Sequence, residues 1–111
     1  YEAQKAGKPI FVKEEESLAD ALTGGIGLDN KYTFELTNQL VDEIVLVSEK
    51  EIADGIHHAY WHESQIVEGA GAVAIASLLN KKFKPNGASV ALMCGRNINM
   101  AKHFSLISAK S

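Results

Sequence analysis

The chain has 111 residues, 46% of them apolar, and a formal net charge of −3, which is enough for one small domain with a core of ordinary size. A negative balance without a basic cluster speaks against nucleic acid and against anionic lipid, since both are drawn by grouped Lys and Arg. The longest apolar stretch, Gly69 to Leu79, falls short of the roughly 20 residues that a bilayer crossing needs, and no secretory leader opens the sequence, so a cytoplasmic protein with no membrane partner is expected.

Tyr1 to Gly7 has the pattern of a helix end closed by glycine, with only about one and a half turns before the cap. The chain is therefore expected to begin inside an element, as a piece of something longer. Pro9 to Val12 should be extended, and the acidic cluster Glu14-Glu15-Glu16 leads into one helical turn over Ser17 to Leu22. Thr23 to Asn30 carries Gly24, Gly25 and Gly27, a density that suits either a functional loop or a plain connector. Phe34, Leu36, Leu40 and Val41 predict a short helix ending near Asp42.

Ile44 to Val47 is a continuous apolar run of strand length, the pattern of a strand covered on both faces. Ser48-Glu49-Lys50-Glu51 is a capping box, so a helix should start there and run to about Ser64, with Ile52, Ile56, Ala59 and Tyr60 on its apolar stripe. Gly69 to Asn80 is apolar all round and rich in small residues, which describes a buried helix, with Lys81, Lys82 and Lys84 favouring its C-terminal end. After a turn at Pro85-Asn86-Gly87, Ser89 to Cys94 reads as a second buried strand ending at Gly95. The order strand, two helices, strand predicts an α/β fold: parallel strands joined by a right-handed crossover and flanked by helices.

Few residues stand out for chemistry. His58 and His62 lie four apart, as in helical zinc sites, but no third ligand accompanies them, and a solvated helix face is the better reading; no metal is expected. Cys94, the only cysteine, cannot form an internal disulfide. It falls at the carboxyl end of the second strand, where open α/β sheets bind ligands, yet a merely buried thiol explains it as well. Glu68 precedes an apolar helix, where it either serves a ligand or simply favours the helix dipole.

Taken together, four ordered stretches resemble fold-type II pyridoxal-phosphate enzymes of the serine/threonine dehydratase and serine racemase group. Glu16-Ser17-Leu18-Ala19-Asp20-Ala21 resembles the segment E-[ST]-x-A-[DE]-[GA], and Leu40 to Ile52 resembles LVD-[DE]-x-x-x-V-[ST]-E-x-E-I. Val67 to Leu79 is similar to the helix that follows the family's glutamate, and Leu92 to Ile98 to its L-[ST/C]-G-G-N-[VI] stretch. Gly24 to Phe34, His57 to Trp61 and Cys94 to Asn97 narrow the likeness to dehydratases of hydroxyectoine or ectoine breakdown.

The resemblance implies the C-terminal part of a large cofactor-binding domain over residues 1–111, from an enzyme that uses pyridoxal 5'-phosphate to dehydrate a small hydroxy-amino acid as a homodimer. It further implies that Cys94 faces the pyridine nitrogen as a neutral partner, with Gly95 beside it, and that Glu68 and the small Ala21 lie near the ring. Two departures are Arg96, where most of the family has glycine, and Gly69, where proline is common. The family's cofactor-anchoring motif S-x-K-x-R and its phosphate-binding glycine loop do not occur in this sequence, so no catalytic residue is expected in this chain and the chain alone should be inactive. A non-catalytic binding or dimerisation module, or a racemase-like or threonine synthase-like enzyme, stands as the alternative.

Overall fold

The computed structural model describes residues 1–109. The chain divides into two compact units, Tyr1–Glu16 with Thr23–Ile44, and Ser17–Leu22 with Val45–Ser111. The first holds helix α1 (Glu2–Ala6) and helix α2 (Thr33–Leu40); Gly7 closes α1 in the left-handed conformation at φ 70°. Asn30 sets the entry to α2: its Oδ1 accepts from the Phe34 amide at 2.9 Å while its amide nitrogen donates to the Thr33 hydroxyl and the Ile26 carbonyl.

The second unit is built on two helices, α3 (Glu49–Glu63) and α4 (Gly69–Leu79), with α5 (Met100–Ser108) packed on α3 and a 3-10 turn (Asp20–Leu22) packed on α4. The capping box at the start of α3 is complete. Ser48 Oγ accepts from the Glu51 amide at 3.3 Å, and the Glu51 carboxylate accepts from the Ser48 amide at 2.6 Å. The Ser48 amide is the main reason that the Glu51 carboxyl is held below the usual carboxylate range, with the Ser48 hydroxyl and the Lys82 ammonium at 3.4 Å adding to it. Ile52, Ile56 and Ala59 of α3 meet Ala72, Ile75 and Ala76 of α4, joined by Ala19, Val67 and Ile107. So many small residues on the facing stripes bring the two helix backbones close.

The α/β fold expected from the sequence is not what the structure has. Among the described residues there is no strand and no sheet: every regular element is helical. Residues 44–47 and 89–94, where apolar runs predict strands, carry no regular structure: a strand exists only where a neighbouring segment completes its hydrogen-bond ladder, and no backbone hydrogen bond joins these two among the described residues. The expected parallel crossover falls with them. Nor is the second segment covered on both faces: Val90 is 94% and Leu92 71% exposed, while Met93, like Val47 of the first, is half-buried against the core.

Helix α5 has no counterpart among the expected elements. Asn99 caps it, its Oδ1 accepting from the amides of Ala101 and Lys102 at 2.9 and 3.1 Å. It docks through Ile107 and His103, and the Trp61 indole donates to the Ile107 carbonyl at 2.9 Å. His103 is only 3% exposed, lies edge-on to the Tyr60 ring at 5.6 Å, and leaves its Nε2 without a partner among the described residues.

Burial pushes the His103 imidazole below its ordinary value of 6.5, so the folded chain holds it neutral. As the pH falls through 6.5, the unfolded chain takes up the proton first, and stability present above that value is lost progressively below it. Urea melts at pH 7.5 and 5.5 should show this loss in the native chain and a smaller loss in His103→Leu. An equal loss in both would show that His103 does not contribute.

Candidate functional site

The residues singled out by the sequence meet around the first turn of α4. Glu68 is its N-cap residue by backbone position, but the side chain makes no capping bond. Instead the carboxylate turns to the following chain segment, where Oε2 accepts from the Asn97 amide at 2.9 Å. The Glu68 amide donates to the Gly95 carbonyl at 3.0 Å, so backbone and side chain of one residue both hold the 95–97 bend. One N-terminal amide of α4, that of Glu68, is thus met outside the helix.

Gly95 occupies φ +81°, a conformation open to glycine at little cost, and a Cβ there would run into the Glu68 carboxylate. Any side chain at 95 would therefore displace Glu68. One residue earlier, the Cys94 carbonyl lies against the bare Cα of Gly71 so closely that an added Cβ would overlap it. This contact pins Cys94 to the inner face of α4 while its own residue surface stays exposed. The thiol is a weak donor and a weak acceptor with no charge of its own when protonated.

Ala21 lies in the 3-10 turn, exposed, with its amide donating to Asp20 Oδ1 at 2.9 Å. The turn is bonded from the Leu22 amide to the Ala19 carbonyl at 2.8 Å and reaches α4 through Leu18, whose carbonyl sits on Gly69. Glu68, Cys94 and Gly95 are in one cluster, then, and the turn bearing Ala21 packs on the same helix.

The other features stand apart from this cluster. His58 and His62 stack with ring centroids 4.5 Å apart, and His58 Nε2 is 3.7 Å from Glu63 Oε1. Gly24, Gly25 and Gly27 line a shallow cavity in the first unit with Phe11 and Glu14, and the Thr23 hydroxyl donates to Glu14 at 3.0 Å. Two parts of the cluster were not assigned a role from sequence: Asn97, whose backbone holds Glu68, and a carboxylate clasp from Glu49 to Ser17 and Leu18. Both lie within matched motifs, but pairing across such separations leaves no periodic signal.

Comparison with known proteins gives the cluster its setting. The family of pyridoxal-phosphate-dependent enzymes matches residues 1–95. A protein of Sinorhizobium fredii named "Putative threonine dehydratase" is 53% identical over 105 residues, covering 94% of this chain and 32% of its own length. L-threonine ammonia-lyases of Geobacter sulfurreducens and Thermotoga maritima are 39% and 37% identical over 101 and 97 residues, covering 90% and 86% of this chain and 24% and 23% of their own lengths. The chain thus spans a third or less of the length of these relatives. With a family match over most of its residues, the chain belongs to the pyridoxal-phosphate-dependent enzymes.

Proposed function

We propose that this chain forms one wall of the cofactor site in a hydroxy-amino-acid dehydratase, an ammonia-lyase that eliminates the β-hydroxyl and releases a 2-oxo acid and ammonia. The observation that carries the reading is the Glu68, Cys94, Gly95 cluster, in which the Cys94 backbone and a tethered carboxylate are fixed at the start of one helix. Relatives named for threonine dehydration or threonine ammonia-lyase support the reaction class.

The residues suit pyridoxal phosphate on one side of its ring. Cys94 can hydrogen-bond the pyridine nitrogen without bringing a negative charge to it, and Gly95 leaves the space beside that contact free of side chain. Glu68, held by the Asn97 amide, and Ala21, too small to obstruct, complete the wall. Bound there, the cofactor supplies the electron sink that such an elimination needs. The part of this chain would be to set how strongly that sink draws: a thiol at Cys94, in place of a carboxylate, would offer the ring nitrogen a hydrogen bond without a negative charge to hold a proton there.

Narrower features of the reading rest on the resemblance. These are a substrate drawn from hydroxyectoine breakdown, a homodimer and a cytoplasmic setting, the first supported by the stretches Gly24 to Phe34, His57 to Trp61 and Cys94 to Asn97. Assaying the enzyme with threonine, serine and hydroxyectoine-derived amino acids separates the substrates.

The site itself is tested at Cys94. Cys94→Ser should keep most of the dehydratase activity, because a hydroxyl makes a similar bond, whereas Cys94→Asp should lower it and raise the protonated fraction of the cofactor, read from its absorbance. A loaded enzyme with Cys94 more than about 5 Å from the pyridine nitrogen, beyond hydrogen-bond reach, would exclude the assignment.

A further inference from the structure

Glu49 stands in the first turn of α3, where a carboxylate ordinarily does no more than favour the helix dipole. Here it reaches out of its helix. Oε1 accepts from the Ser17 hydroxyl at 2.5 Å and Oε2 from the Leu18 amide at 2.7 Å, across 32 and 31 residues of sequence. Ser17 Oγ in turn accepts from the Ala19 amide at 3.0 Å, so three consecutive residues are tied through one carboxylate.

What this segment does next links it to the cofactor wall. The Leu18 carbonyl lies on the bare Cα of Gly69, the residue after Glu68, and Ala19 is buried as the base of the 3-10 turn that carries Ala21. A carbonyl resting on a glycine Cα gives close contact but little direction. Two charge-assisted bonds to one planar carboxylate fix both position and tilt, and they are about twice as strong as neutral ones.

We infer that Glu49 is a positioning residue for the cofactor site: its clasp on Ser17 and Leu18 holds the Ala21 turn at a set separation from Glu68. The inference rests on the proposed roles of Ala21, Glu68 and Cys94, and it adds a group that does not itself touch the cofactor. In Glu49→Ala the turn loses its tether while the core of Ile52, Ile56 and Ala72 stays as it is.

The test uses the enzyme loaded with pyridoxal phosphate. Glu49→Ala should speed exchange of the Leu18 amide about tenfold or more, weaken pyridoxal phosphate binding by a similar factor, and reduce the circular dichroism of the cofactor band. Ser17→Ala should show part of each effect and Ser17→Thr, which keeps the hydroxyl, should restore all three. Lys50→Ala, on the same turn but paired outward with Asp54 at 2.8 Å, is the control that should leave them unchanged. If Glu49→Ala does not fold, the contrast of Ser17→Ala with Ser17→Thr decides.

Glu68→Ala and Cys94→Asp are titrated alongside. A cofactor band moved by these two but not by Glu49→Ala or Ser17→Ala overturns the positioning role and leaves the proposed site standing. A band moved by none of them overturns the proposed site. Faster Leu18 exchange with an unchanged band reduces the clasp to a purely structural bond and also overturns the inference.

Discussion

Replacing Gly71 by alanine is expected to lower the stability of the chain by about 3 kcal/mol, the upper end for overpacking, and to disturb the proposed cofactor wall in the same step. The atom in the way is the Cys94 carbonyl, a backbone group that cannot rotate aside as a side chain would. Relief requires that α4 and the 94–97 bend move apart. That movement pulls on the bond from the Glu68 amide to the Gly95 carbonyl and on the one from the Asn97 amide to the Glu68 carboxylate. A urea melt gives the stability change, and cofactor absorbance gives the second effect. If Gly71→Ala melts like the native chain, Cys94 is not seated on α4 as described.

Ile56→Ala should destabilise by about 3 kcal/mol for the opposite reason. Ile56 is 0% exposed and is the largest fully buried side chain among the described residues, so truncation leaves a void between α3 and α4. Small neighbours such as Ala59, Ala72 and Ala76 cannot swing in to fill it. Ile56→Val should cost only about 1 kcal/mol, because most of the packing remains. The two isoleucine variants should leave the position of the cofactor band unchanged, which sets them apart from Gly71→Ala.

Helices were legible in the sequence where local chemistry defines them. Ser48 and Glu51 mark the start of α3 by reciprocal bonds within four residues, and Ile52, Ile56 and Ala59 carry the period of its buried face. The apolar runs at 44–47 and 89–94 were misread as buried strands, because pairing depends on a second segment and a run of strand length does not contain that information. Helix α5 could have been found: Asn99 is a strong capping residue, and Met100, His103 and Ile107 follow at helical spacing.

The candidate site was suggested only by family likeness. Composition and spacing left Glu68 and Cys94 with ordinary explanations, and each is partly answered by geometry: Glu68 spends its carboxylate on Asn97 rather than on its own helix, and Cys94 is exposed rather than buried. The clasp of Glu49 on Ser17 and Leu18 was beyond any reading of pattern. It joins two motifs that look unrelated along the chain, and only folding brings them together.

The irregular segment before Cys94 has a consequence for handling the protein. From Val90 to Met93 the backbone makes no hydrogen bond to other backbone among the described residues, while Val90 and Leu92 face outward. Open amides and carbonyls bearing alternate apolar side chains form an adhesive edge, able to recruit the same segment of another copy. Turbidity on concentration or heating would then arise from edge-to-edge association before the α3 and α4 core melts. A single lysine at position 92 would blunt that edge without touching helix, turn or thiol, and solubility would rise while the melting point stayed where it was.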